Sequence, residues 1–117
     1  MKLSQKLTKE QTDPFFSKWQ EMSLVISELH ERREKRVKKE MESGILLYKK
    51  LLAHCLDAEK DAGEKAVAPL NGEERLAFVA SNPGTYAAFR QLDELFAEMK
   101  KLIAAKRIQL KRLEKEI

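Results

Sequence analysis

Apolar and polar positions divide the chain into three helical stretches separated by breakers. Thr12-Asp13-Pro14 is a helix start. Thr or Asp can accept from the free N–H groups of a first turn, and Pro fits there because its missing N–H costs nothing. From Pro14 to about Lys60 no further proline occurs, and Ser43-Gly44 is the one interruption. Apolar positions in this stretch recur every 11 residues: Phe15, Ile26, Val37 and Tyr48, then Trp19, Met41 and Leu52 with His30 among them, then Met22, Gly44 and Cys55 with Arg33 among them. That spacing is close to the natural pitch of a helix and favours a straight one, about 70 Å long over residues 14–60. Segment 30–40, HERREKRVKKE, is apolar only at Val37. Glu28–Arg32, Glu31–Lys35 and Glu34–Lys38 are spaced to sustain helix there, at a few tenths of a kcal/mol each.

Gly63, Pro69 and Gly72 interrupt the next region. A short helix over 72–81 follows, with Asn71 as its cap, Glu74 at the capping-box position, and Leu76, Val79 and Ala80 on one face. Asn82-Pro83 starts the last helix, with Thr85 as a rival cap, and it runs to residue 117. Its heptad is regular: Phe89, Leu92, Phe96, Met99, Ile103, Lys106, Leu110, Leu113 and Ile117, widened by Leu95 and Leu102. Such a seam predicts coiled-coil-like packing.

These elements predict an all-α fold: an elongated antiparallel helical hairpin of two long helices, about 14–60 and 83–117, with the short helix at the turn. Residues 1–13 form a flexible segment ahead of a single domain over 14–117. In that hairpin residues 32–39 lie beside 104–111. The first helix then outruns the last by about 18 Å, so Phe15, Phe16, Trp19 and Met22 project without an internal partner. The chain has only eight aromatics (Phe 5, Trp 1, Tyr 2), and three of them fall here. Unpartnered aromatics and Met mark an interface, with a protein partner or with a second copy of the chain as a dimer.

Composition narrows the class. Charged residues make up 36% of the 117 positions, and 23 bases against 19 acids give a net charge of +4, a small excess for a nucleic-acid binder. The excess is unevenly placed. Segment 30–50 has eight bases against four acids, and 100–115 has seven bases against Glu114 alone. The predicted hairpin joins them into one basic belt of Arg32, Arg33, Arg36, Lys39, Lys106, Arg107 and Lys111, suited to an acidic protein or to nucleic acid. The single Cys55 excludes an internal disulfide. The N-terminal residues lack an apolar signal core and no run reaches a membrane-spanning length, so a cytoplasmic protein is expected.

The residues that carry chemistry are sparse. His54 and Cys55 are helix neighbours that point about 100° apart, and no acid is spaced to orient the imidazole. Two isolated His and one Cys fall short of a metal site, and the scattered glycines form no phosphate loop. The expectation is a protein without catalytic residues, metal or cofactor: a helical interaction module such as a small adaptor, chaperone or stalk subunit of a larger assembly. The alternative is a nucleic-acid-binding hairpin that uses the basic belt.

Overall fold

The computed structural model describes residues 7–62 and 68–116, with the side chains of 56–62, 110 and 113–116 left aside. Gly63 and the seam positions Leu110, Leu113 and Ile117 therefore lie outside the described residues. Among the described residues there are four helices and no strand: α1 (Lys9–Glu31), α2 (Val37–Ala62), α3 (Gly72–Ser81) and α4 (Tyr86–Glu116). The molecule measures 55 × 25 × 18 Å, with a radius of gyration of 15.6 Å. A compact chain of this length would have about 13 Å, so the elongated, all-helical shape is as predicted.

The predicted long helix is instead two. It breaks at residues 32–36, where the sequence has neither Gly nor Pro. The break is a Schellman motif. The Glu34 N–H donates to the Leu29 carbonyl at 3.0 Å and the Arg33 N–H to the His30 carbonyl at 3.1 Å. Arg33 takes the left-handed position, φ 54°, where Gly is usual. Of the three ion pairs that were to sustain helix here, Glu28–Arg32 forms at 2.8 Å, while Glu34 turns to Arg36 at 3.5 Å. Each pair is worth a few tenths of a kcal/mol, whereas burying one large apolar side chain contributes about 1.5–3 kcal/mol. Folding α1 back on α2 buries Trp19, Ile26, Leu29, Val37 and Met41 together, and that gain decides the outcome. Arg33→Gly is expected to raise stability by about 1 kcal/mol, because an L-residue in the left-handed region costs roughly that; thermal or urea denaturation checks it.

The break sets the helix directions. His30 meets Tyr86 and Phe89 at ring-centroid distances of 5.5 and 5.8 Å, while Arg107 reaches Leu7 and Thr12, so α1 and α4 are antiparallel. Tyr48 packs edge-on to Phe96 and Gly44 faces Leu92, a constant offset that makes α2 and α4 parallel. The chain therefore runs up, down, up, down. The hairpin that paired residues 32–39 with 104–111 is replaced by one in which 30 lies beside 86–89.

The core follows the predicted stripes. Phe89, Leu92, Leu95, Phe96, Met99 and Ile103 are buried from α4, and Met41, Tyr48, Leu51 and Cys55 from α2. Leu102, expected to widen the stripe, stays partly exposed. Thr85, not Asn82-Pro83, caps α4: its Oγ1 accepts from the Ala88 N–H at 3.1 Å. Asn71 precedes α3 as expected but in the left-handed region (φ 55°), without a side-chain cap bond.

The N-terminal boundary also moves. The helix begins five residues ahead of Pro14: α1 starts at Lys9, with Leu7 and Thr12 wholly buried. Arg107 explains why. Its Nε donates to the Leu7 carbonyl at 2.7 Å and a terminal nitrogen donates to Thr12 Oγ1 at 3.1 Å, clamping the start of α1 to α4. Pro14 lies inside α1, where it forgoes one N–H bond. Residues 1–6 lie outside the described residues.

Candidate functional site

Of the four residues expected to project, Trp19 is in the core. It is 4% exposed, stacks on Phe96 at 4.6 Å and 10°, and its indole N–H donates to Asp93 at 2.9 Å. The physical reason is the break at 32–36, which supplies the partner helix that a straight rod lacked. Phe15, Phe16 and Met22 are half-buried against the same core, and Phe15 sits 5.8 Å from the His54 ring. The indole's partner, Asp93, is 74 residues away in sequence and was not identifiable from it.

The basic belt is split. Arg32, Arg33, Arg36 and Lys39 gather at the α1–α2 turn. Lys106, Arg107 and Lys111 lie toward the other end of α4, about 31 Å away along that helix, counting the 21 residues from Tyr86 to Arg107. Arg107 is committed to clamping α1, and Lys106 is half-buried. The turn end carries six bases within 32–39 against Glu34, and Lys100, Lys101, Lys111 and Arg112 stay exposed along α4.

That end contains a cavity of about 530 Å³, lined by Leu29, His30, Arg33, Glu34, Lys35, Val37, Lys38 and Gly84. Leu29 and Val37 form an apolar floor, both nearly fully buried. The wall opposite is open at Gly84, where an added Cβ would meet nothing within 4 Å. Arg33, Lys35 and Lys38 have no ion-pair partner among the described residues. His30 Nε2 and Glu34 Oε2 are both shielded from solvent without a hydrogen-bond partner. Burial holds the His30 imidazole below its usual value, so it is neutral at pH 7. The left-handed Arg33 therefore holds an unpaired guanidinium on the rim of a cavity that His30 also lines.

A second polar cluster is self-contained. Arg75 on α3 bonds Glu98 on α4 and donates to the Leu70 carbonyl at 3.2 Å. With its amide oxygen turned toward the guanidinium, Gln91 accepts twice more, at 2.8 and 2.9 Å. The hydrogen bond from Arg75 holds the Glu98 carboxyl below the usual range. Tyr48 lies nearby, its hydroxyl unpartnered and pushed up to about 12 chiefly by burial. This cluster docks the short α3, and its donors and acceptors are largely spent on one another. No group of three or more His, Cys, Asp or Glu that could hold a metal comes together among the described residues. No helix there is long and apolar enough to cross a membrane.

Fold and site together define a small, elongated protein, all-helical among the described residues, with a cationic cavity at the end where α1 turns into α2. The chain belongs to the YpoC-like protein family, whose model matches residues 9–111, from the first residue of α1 into the last turns of α4. No curated protein and no solved structure matches it.

Proposed function

We propose that this protein is a non-enzymatic helical interaction module, a small adaptor, chaperone or stalk subunit of a larger assembly, that holds an acidic protein partner at its α1–α2 turn. The observation that carries this is the cavity itself: an apolar floor of Leu29 and Val37 beneath a rim of three cations without partners. Desolvated apolar contact surrounded by complementary charge is how interfaces combine affinity with steering. The splitting of the belt weighs against the nucleic-acid reading, because a duplex or strand needs several cations along one track, and here they sit at two ends.

The test is co-purification from extract of the native host. Wild-type protein is expected to retain a nuclease-resistant acidic partner at 150 mM salt and lose it at about 500 mM, as screening requires. Neutralising Arg33, Lys35 and Lys38 together is expected to lose that partner while the helical circular dichroism stays unchanged. Retention by the triple variant, or loss of the partner on nuclease treatment, overturns the proposal.

A further inference from the structure

We propose that the cavity at the α1–α2 turn recognises a phosphate monoester, so that the acidic partner is held through a phosphorylated group. This rests on the reading that the turn end is the binding face. Four observations converge. Arg33, Lys35 and Lys38 face one cavity and Glu34 is the single acid in its wall, leaving a charge of +2. A phosphate monoester carries about −1.5 to −2 at pH 7, with three acceptor oxygens. A carboxylate offers half that charge and two oxygens, and would leave cations unmatched.

The donors suit the same ligand. Arg33 presents a planar fork that matches phosphate bidentately, and the two lysines add mobile point charges. His30 is also among the residues that line the cavity. The helix ends reinforce this. The Schellman bonds occupy the Leu29 and His30 carbonyls, the acceptors at the end of α1. The first N–H groups of α2 make only long bonds, 3.3 Å for Val37 and 3.4 Å for Lys38. The cavity therefore meets the donor end of α2 and a largely closed acceptor end of α1, a setting that favours an anion.

The fourth observation is Arg33 itself. A Gly at this position would relieve the left-handed backbone, yet the chain places its guanidinium there. Strain at such a position points toward a ligand. Glu34 opposes an anion and makes the proposal sharper: Arg36 lies 3.5 Å from it, and removing its charge strengthens the site.

The full-length chain, labelled with ¹⁵N, is titrated with inorganic phosphate at constant ionic strength, then with acetate and with poly-glutamate. Phosphate is expected to produce saturable shifts at the amides of Arg33, Lys38 and Gly84, and acetate none. Arg33→Gly is expected to weaken phosphate about tenfold, the loss of one charge-assisted contact, although the same change stabilises the fold. Glu34→Gln is expected to tighten it about threefold, since a nearby like charge is removed. Shifts that never saturate, equal binding of acetate, or an Arg33→Gly variant with unchanged affinity overturn the phosphate site. If poly-glutamate binds through Arg33, Lys35 and Lys38 while phosphate does not, this inference falls and the acidic-partner reading stands. If neither binds, both fall.

Discussion

Trp19→Ala is expected to destabilise the protein by about 3–5 kcal/mol, the usual cost of truncating a fully packed aromatic. Three losses combine. The indole leaves a void against Phe96 and Phe89, with which it now stacks and tilts at 4.6 and 6.2 Å. The face of α2 at Gly44 loses the ring it was shaped to receive. Asp93 loses its indole donor, which contributes about 0.5–1.5 kcal/mol more. A domain of this size has about 6–17 kcal/mol in total, so the variant loses much of its margin. Urea denaturation followed by circular dichroism measures it, since Trp19 is the only tryptophan and its fluorescence leaves with it. Had these aromatics been an exposed anchor, the same change would leave the midpoint almost untouched and affect only binding.

The second large effect is at Gly44, and its sign is the test. In an ordinary helix interior, Gly→Ala stabilises by roughly 1 kcal/mol. Here a Cβ would stand 2.7 Å from the Trp19 ring and 3.2 Å from Leu92 Cδ2. The ring is held between α2 and α4 and cannot withdraw, so Gly44→Ala is expected to destabilise by about 1–3 kcal/mol, as overpacked cores do, and Gly44→Val by more. In a Trp19→Ala background the clash is gone, and Gly44→Ala is expected to return to its ordinary stabilising sign. A double-mutant cycle by urea denaturation reads this coupling directly. Additive effects would show that Trp19 and Gly44 do not touch.

Trp19 and Gly44 also show where the sequence is legible. Heptads in α4 announce themselves because Phe89, Leu92, Phe96, Met99 and Ile103 all face one seam, and the short α3 lies between strong breakers. The 11-residue stripes of the first stretch do mark core positions, and they survive the break because α1 and α2 present the same stripe to a shared centre. The break itself leaves no such trace. A Schellman turn normally declares itself by Gly, and Arg33 takes that place at an energetic cost, so propensity and i,i+4 charge spacing both point to continuous helix. Gly44 was the available signal: a glycine inside a strong helix implies close approach by something large, and Trp19 is the largest residue in the chain.

The candidate site was legible in content and not in place. Composition singles out Arg32, Arg33 and Arg36 as an unusual concentration of charge. Whether they lie beside Lys106 and Arg107 depends on the direction of α4 relative to α2, which the turn at 32–36 reverses. Nothing in the residues around Arg107 foretells its bond to the Leu7 carbonyl, since a backbone oxygen carries no sequence identity. His30 resembled a stripe residue, and only the fold shows it lining a cavity with Arg33 and Lys38.

All of this depends on α1 folding back on α2. Spin labels at the exposed positions Gln20 and Leu46, in a Cys55→Ala background, measure that by pulsed dipolar spectroscopy. Adjacent antiparallel helices are about 8–10 Å apart, so the folded-back arrangement predicts a narrow distribution at about 10–20 Å once the label arms are included. One unbroken helix would place the two positions about 39 Å apart, and a distribution centred there would contradict the fold, the burial of Trp19 and the cavity at the turn together.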